Sequence, residues 1–166
     1  MADSSGLTEF WARCRVQVPG LPAALPDAWP FGATAAHADE LLGLVIAGTK
    51  TGTATSIWDA ETTGEQLPEV GDYSIILDGA GEPRAVIRTT ALATVPFDRV
   101  TAEHAHSEGE GDRTLADWRA THEHYWRSYA ASPRGFAPDM PILCERFELI
   151  WAPGTDPAGH TNGKLG

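Results

Sequence analysis

One lysine stands among threonines where an apolar helical segment meets a β-branched one, in the stretch LLGLVIAGTKTGTAT. The chain has only two lysines, Lys50 here and Lys164 in a C-terminal segment rich in Pro, Gly, Asp and Asn. Burial disfavours the charged form of a lysine, and a neutral Lys50 can take the hydroxyl proton of Thr53. If it keeps its charge, Lys50 can instead stabilise an oxyanion or bind a phosphate. Both chemistries make this segment the first candidate site.

The threonines after Lys50 are predicted to form a strand because the segment is β-branched. On a strand Lys50 and Thr53 point to opposite faces, so they converge only if the chain bulges or turns at Gly52. Thr51 and Thr55 share the face of Thr53 and can supply binding hydroxyls. A structural explanation competes with these roles, because a lysine beyond a helix C-terminus complements the helix dipole by about 0.3–1 kcal/mol.

Three carboxylates, Glu108, Glu110 and Asp112, lie in the acidic stretch EGEGD. Such a stretch is typical of a solvated loop. A carboxylate whose pKa is raised near neutrality can nevertheless transfer a proton, and three carboxylates together can hold a divalent metal. Two pairs of histidines are each separated by one residue: His104 with His106, and His122 with His124. Residues two apart diverge on a helix, so neither pair is predicted to chelate a metal.

Glu145 lies on a face of the last predicted strand that is otherwise apolar. A buried carboxylate needs a partner, and Arg88, Lys50 or a backbone amide are candidates. A structural ion pair explains Glu145 more simply than catalysis does.

Helical periodicity and turn residues predict the elements that position these side chains. Helices are predicted at 7–16, where Thr8 can cap the start, and at 34–48, 101–109 and 114–130. A strand at 51–58, a hairpin over 73–97 and a last strand at 140–151 complete the set. The Pro-rich residues 19–32 and the polar residues 59–72 are predicted to be irregular. This order predicts an α+β fold with a small curved sheet or barrel ringed by helices.

The chain has 166 residues and a formal net charge of −11, with 12 Lys and Arg against 23 Asp and Glu. This length predicts one domain, and the charge excludes a protein that grips long nucleic acid, because such a protein needs a basic face. Nucleic-acid contact must therefore be local, with a nucleoside or a short strand. No segment resembles a membrane span or a secretory signal, so a cytoplasmic location is expected. Cys14 and Cys144 are predicted to be buried free thiols.

Several segments, taken in order, resemble the bacterial ASCH-domain family. They are FGATAAHADELLGLVIAGTKTGTAT, VGDYSIILDGAGEPRAVIRTTALATVPFDRV, EGEGDRTLADWRATHEHYW and DMPILCERFELI. The resemblance covers residues 31–151. It leaves residues 1–30, an N-terminal helix with a Pro-rich segment, and residues 152–166, a tail expected to be disordered, outside the domain.

The resemblance implies a PUA-like β-barrel with a mixed, mostly antiparallel sheet and a groove around Lys50 that accepts RNA or a nucleoside. Some members of the family remove the acetyl group from N4-acetylcytidine, and others are metal-dependent ribonucleases. Carried over by motif, Lys50, Thr53 and Glu108 would be catalytic, with Glu110 and Asp112 as alternatives to Glu108. For an amide substrate Thr53 would attack, Lys50 would be the base, and Glu108 would handle the proton to the leaving amine. Further residues are expected to contact the ligand: Thr51, Thr55, Arg88, Glu110 and Glu145. A divalent metal ion would be a cofactor only of a ribonuclease, and a binding module without turnover is the alternative function.

Overall fold

A computed structural model describes residues 3–154, which form two compact units. Unit 1 comprises residues 3–48, 71–88 and 148–154, and unit 2 comprises residues 49–70 and 89–147. The helices are α1 (Ser4–Gln17), α2 (Ala35–Ile46), α3 (Ile57–Thr63), α4 (Ala102–Glu108) and α5 (Leu115–Tyr129). The strands are β1 (Asp27–Pro30), β2 (Gly52–Ser56), β3 (Tyr73–Leu77), β4 (Pro83–Pro96) and β5 (Pro141–Trp151). A short 3₁₀ helix spans Phe97–Arg99.

The strands follow the order β1-β3-β4-β5-β2. The β1–β3 pair is parallel, whereas the β3–β4 and β2–β5 pairs are antiparallel. The β3–β4 pair is the hairpin predicted around the Asp-Gly turn. A mixed, mostly antiparallel sheet with helices confirms the predicted α+β class.

Unit 1 buries the apolar faces of α1, β3 and β4. Its core contains Phe10, Trp11 and Cys14 of α1 together with Ile75 and Val86. The spacing of the three α1 residues at i, i+1 and i+4 places them on one side of the helix, as the sequence predicts. Burial raises the pKa of the Cys14 thiol to about 11, which is expected of a structural rather than a reactive cysteine.

Unit 2 is built around aromatic rings of α5. Trp118 and Trp126 are buried with Phe97, and the Phe97 and Trp118 rings stack with their centroids 5.4 Å apart. Trp118 and Trp126 of α5 are therefore part of the core, while Tyr129 is exposed. Cys144 packs against the same core as a free thiol, and burial raises its pKa to about 12.

Three predictions about local structure were wrong. The Pro-rich segment contains β1, because its parallel partner β3 supplies the hydrogen bonds that local sequence does not reveal. The polar segment after β2 contains α3, which Ser56 caps by accepting a hydrogen bond from the Asp59 amide. Helix α1 is capped by Asp3 rather than Thr8. The predicted domain boundaries stay predictions, and the predicted tail beyond residue 154 lies outside the described residues.

Among residues 3–154, none of the helices combines the length and hydropathy needed to span a membrane.

Candidate functional site

Two glycines allow the segment that carries the lysine to lie against α4. Gly109 ends α4 with a φ of 75°, and a Cβ atom there would lie 2.6 Å from the Thr49 carbonyl oxygen. A Cβ atom on Gly52 would collide with the Ser107 hydroxyl. The Thr51 amide donates to the Ser107 carbonyl at 2.7 Å across this close approach. A residue with a side chain at either glycine would separate the two segments.

The amine of Lys50 is buried among acceptors. Lys50 is 2% exposed, and its Nζ donates to the Gly52 carbonyl at 2.8 Å and to the Glu108 carbonyl at 3.4 Å. Nζ also lies 3.8 Å from a carboxylate oxygen of Glu108 and 3.8 Å from one of Glu110. Nζ is thus surrounded by four oxygen atoms, an arrangement that suits a role for the Lys50 ammonium in stabilising an anion or oxyanion better than a role in proton abstraction.

Glu108 is held by groups from both α4 and α5. Its Oε2 accepts hydrogen bonds from His104 Nε2 at 2.7 Å and from the Trp118 indole nitrogen. Its Oε1 lies 3.3 Å from His122 Nε2 and 3.8 Å from Lys50 Nζ. His104 and Glu108 are four residues apart on α4, so one turn of helix brings them together. We define the buried cluster as Lys50, His104, Glu108, Glu110, Trp118 and His122.

The surroundings of Glu108 determine its charge. Burial would raise the pKa of this carboxyl group, but hydrogen bonds from His104 and His122, and the nearby positive charges, hold it well below the ordinary value of 4.5. A general acid at neutral pH needs a pKa shifted in the opposite direction. The geometry therefore suits Glu108 as a fixed carboxylate and disfavours the expectation that it protonates a leaving amine.

His122 contacts both Glu108 and Trp118. Its Nδ1 lies 2.9 Å from the Trp118 backbone carbonyl oxygen, and its ring stacks on the Trp118 indole at 4.1 Å with an interplanar angle of 18°. Burial would lower the pKa of His122, but its hydrogen bond to Glu108 and the charge of that carboxylate hold it above the ordinary value of 6.5.

Three ligand-type atoms of the buried cluster, from Glu108, Glu110 and His122, lie within 4.8 Å of one another. A divalent metal could bridge atoms at this spacing. However, the Lys50 ammonium lies 3.8 Å from both carboxylates, where it supplies the positive charge that a metal would supply. Since a metal there would also be repelled by Lys50, the described arrangement does not fit a resident metal ion.

Thr53 lies half buried on β2, directly opposite Glu145 of β5. Glu145 is 5% exposed and accepts a hydrogen bond from the Thr89 hydroxyl at 2.7 Å, so its predicted burial is confirmed. Side chains alternate along a strand, so Thr53 points to the opposite face from Gly52, against which α4 packs. The β2–β5 register is continuous from Gly52 to Ser56. No bulge within β2 therefore brings Thr53 toward Lys50, and a catalytic role for Thr53 stays a prediction.

The other two threonines differ in their surroundings. Thr51 is exposed, and its carbonyl accepts a hydrogen bond from the Phe147 amide at 3.0 Å. Thr55 is half buried on β2 opposite Leu143. Thr51 thus borders the buried cluster through Ser107, whereas Thr55 lies two residues beyond Thr53 on the same strand face.

Two further candidates have structural partners. Arg88 is exposed in unit 1, and its guanidinium lies 3.7 Å from Glu148. Asp112 accepts hydrogen bonds from the amide and the hydroxyl of Thr114, at 2.9 Å and 2.6 Å, at the start of α5. Of the three acidic residues considered, Glu108 and Glu110 lie beside Lys50, while Asp112 orders the loop that leads to α5.

A hollow of about 290 Å³ lies in unit 2 beside the buried cluster. Its walls include apolar residues of β4, the Cys144 thiol, Arg146 and His104. His104 therefore both lines the hollow and hydrogen-bonds to Glu108. The volume is close to the roughly 300 Å³ at which small-molecule sites begin.

Sequence analysis missed His104, His122 and Trp118 as members of the site. Testing the histidines only as i, i+2 pairs overlooked their other partners. The available signals were the i, i+4 spacing of His104 with Glu108 and of Trp118 with His122. The contact between the two helices carries no such local signal.

Comparisons with known proteins agree with this architecture. A family model for the ASCH domain matches residues 27–151. A DUF984-family protein from Enterococcus faecalis V583 is 34% identical, with a TM-score of 0.78 over 88% of each chain. The ASCH domain from Lactobacillus crispatus JV V101 is 22% identical, with a TM-score of 0.79 over 90% of this chain and 96% of that chain. No curated protein matches the chain. The structural likeness confirms the predicted PUA-like α+β fold.

Proposed function

Because this chain belongs to the ASCH-domain family, whose domains are thought to bind RNA, we propose that unit 2 binds a nucleoside, free or within RNA, beside Lys50. The observation that carries the proposal is the burial of Lys50 against Glu108 and Glu110. Removing charged groups from water costs several kcal/mol per ion, so an ion cluster of this kind adds little to stability. Buried, perturbed charges occur preferentially at functional sites.

The ligand's position follows from the surroundings of Lys50. Glu110 is the outermost carboxylate of the cluster, with 24% of its side chain exposed, whereas Glu108 is buried. A carbonyl oxygen of the ligand would approach Lys50 from the Glu110 side, and a phosphate would do so by displacing the Glu110 carboxylate from the ammonium. The hollow lined by His104 provides space for a base.

Direct binding tests this proposal. Calorimetric titration with cytidine 5′-monophosphate, N4-acetylcytidine and a short single-stranded RNA should give saturable binding to the wild type. K50M should abolish it, because methionine matches the lysine in length and removes the charge. R84M is the matched control, since Arg84 is exposed in unit 1 and pairs with Asp78 at 2.8 Å. Absence of binding to all three ligands, or equal binding by K50M, would contradict the proposal.

Hydrolysis of an acylated nucleobase amide is a second candidate function. It is suggested by the buried ammonium, because an oxyanion is stabilised strongly where water is excluded. It also requires Thr53 to turn toward Lys50 from the opposite face of β2. Thr53 Oγ would add to the acyl carbon and pass its proton to a carboxylate. The sequence-based assignment gives this proton to Lys50 and makes Glu108 the group that protonates the leaving amine, whereas the carboxylate directly opposite Thr53 is that of Glu145. The C–N bond would break as the amine takes the proton, and water would then release the acid from Thr53.

Chromatography of N4-acetylcytidine incubated with the protein separates these functions. Release of cytidine by the wild type and not by T53V would support hydrolysis, and binding without product would support a module without turnover. An RNA that is cut, and is no longer cut when a chelator is added, would instead identify a metal-dependent ribonuclease.

A further inference from the structure

Each ring nitrogen of His122 faces an oxygen. Nδ1 lies 2.9 Å from the Trp118 carbonyl oxygen, and Nε2 lies 3.3 Å from Glu108 Oε1. A carbonyl oxygen can only accept a hydrogen bond, so Nδ1 carries a proton. The state of Nε2 then depends on whether Glu108 is a carboxylate.

The other contacts of Glu108 answer this question. Its Oε2 accepts from the Trp118 indole, which can only donate, and from His104. The Lys50 ammonium lies 3.8 Å from Oε1. These donors and the positive charge favour a carboxylate, which has no proton to give to His122. Nε2 must therefore donate as well.

We propose that His122 is an imidazolium that positions Glu108 as a carboxylate beside Lys50. The ring also stacks on the Trp118 indole at 4.1 Å, and the face of an indole attracts a cation. Trp118 thus acts on both partners, because its indole fixes Glu108 and its carbonyl fixes the protonation of His122. His122 is a positioning residue in this scheme, since it acts through Glu108.

The charge of the buried cluster connects the state of His122 with ligand binding. This consequence rests on the proposed function. Lys50 and His122 carry two positive charges, and Glu108 and Glu110 carry two negative charges. His104, also a member of the cluster, contacts Glu108 Oε2, and the Cys144 thiol lies close enough to feel the charge of Glu108. Loss of the His122 proton would make the cluster one charge more negative, which disfavours a phosphate beside Lys50. Phosphate binding should therefore weaken when His122 loses its proton.

NMR of the ¹⁵N-labelled protein tests the proton positions without any ligand. Both ring nitrogens of His122 should be protonated at pH 6 and should stay protonated above pH 6.5, the ordinary pKa of a histidine side chain. Only one protonated nitrogen on His122 at pH 6 would overturn the proposal. E108Q should shift the loss of the proton to lower pH, and no shift would also overturn it.

The pH dependence of cytidine 5′-monophosphate binding tests the positioning role. Wild-type affinity should fall as pH rises through the His122 midpoint measured by NMR, whereas H122Q should bind at least tenfold more weakly at pH 6 and lack that transition. H124Q, the same change two residues along α5, should match the wild type. A wild-type pH profile for H122Q would overturn the positioning role. If the nucleotide binds to none of these proteins, the proposed function fails, and the NMR result still decides the state of His122.

Discussion

Lys50 is the residue on which the cluster depends, because it is the buried ammonium that faces both Glu108 and Glu110. Removing one member of a buried ion pair leaves the other charge uncompensated, which typically costs about 3–5 kcal/mol. Lys50, the first candidate from the sequence, is therefore a buried charged side chain in the structure. Its predicted partner Thr53, by contrast, points to the face of β2 opposite Gly52.

We expect K50M to lower the free energy of unfolding by about 3–5 kcal/mol in urea titrations. R84M removes the exposed pair with Asp78, and such pairs are typically worth about 0–1 kcal/mol. If the two variants lost equal stability, Lys50 would be hydrated rather than buried beside carboxylates.

At the scale of elements, the site depends on how α4 ends. Thr101 caps the start of α4, and Gly109 turns the chain at its end with a φ of 75°. These local signals are visible in the sequence, and the predicted helix at 101–109 agrees with them. The close approach of Gly109 to Thr49 is a tertiary contact between segments about 60 residues apart, for which no periodicity exists.

The variants G109A and G64A separate the cost of a left-handed backbone from the cost of the contact with Thr49. Both glycines end helices with left-handed backbones, at φ values of 75° and 72°, but a Cβ atom on Gly64 meets no atom within 4 Å. G64A should cost about 1–2 kcal/mol for the left-handed conformation. G109A should cost about 1–3 kcal/mol more, because its Cβ overpacks against Thr49. Equal losses in chemical denaturation would show that the contact with Thr49 relaxes freely. G109A should also weaken nucleotide binding, because Glu108 moves with the helix end.

At the scale of the whole molecule, Glu108 and His122 determine part of the pH dependence of folding. The pKa of Glu108 is lowered on folding, so its contribution is complete above its ordinary pKa of 4.5 and is lost as pH falls through the folded value. The pKa of His122 is raised, so its contribution is complete below 6.5 and is lost as pH rises through the folded value. Both contributions are complete only between pH 4.5 and 6.5.

We therefore expect the stability difference between the wild type and E108Q to be largest between pH 4.5 and 6.5. Urea titrations of both proteins at several pH values measure this difference in the free energy of unfolding. E108Q removes the carboxylate whose own pKa is lowered and which raises the pKa of His122. The difference in unfolding free energy between wild type and E108Q should therefore shrink toward both acid and alkaline pH. A difference that stays constant from pH 3 to pH 9 would contradict this assignment of charges.

The net charge of −11 limits the number of RNA phosphates that the molecule can neutralise in the proposed binding. One buried lysine that neutralises about one phosphate predicts a shallow salt dependence, with a slope of about −0.7 in log affinity against log salt for a single strand. K50M should not bind the RNA at any of the salt concentrations tested. A slope steeper than about −3 would indicate a basic RNA-binding surface that the composition excludes.

The sequence by itself determined the features that depend on neighbours within a few residues. Threonine caps and helical periodicity predict α4 and α5, and the Asp-Gly turn predicts the β3–β4 hairpin. The sequence also singles out Lys50 by its type and position. It could not reveal β1, because a parallel strand needs a distant partner.

Only the tertiary structure decided which side chains surround Glu108. His104 lies on the same helix, but His122 and Trp118 come from α5, and the loop between the two helices has no pattern that specifies their contact. The protonation of the cluster follows from those contacts, because burial and hydrogen-bond donors move the pKa of a carboxylate in opposite directions. A glutamate in an acidic stretch therefore indicates a candidate, whereas its charge in the folded protein depends on the donors that packing brings to it.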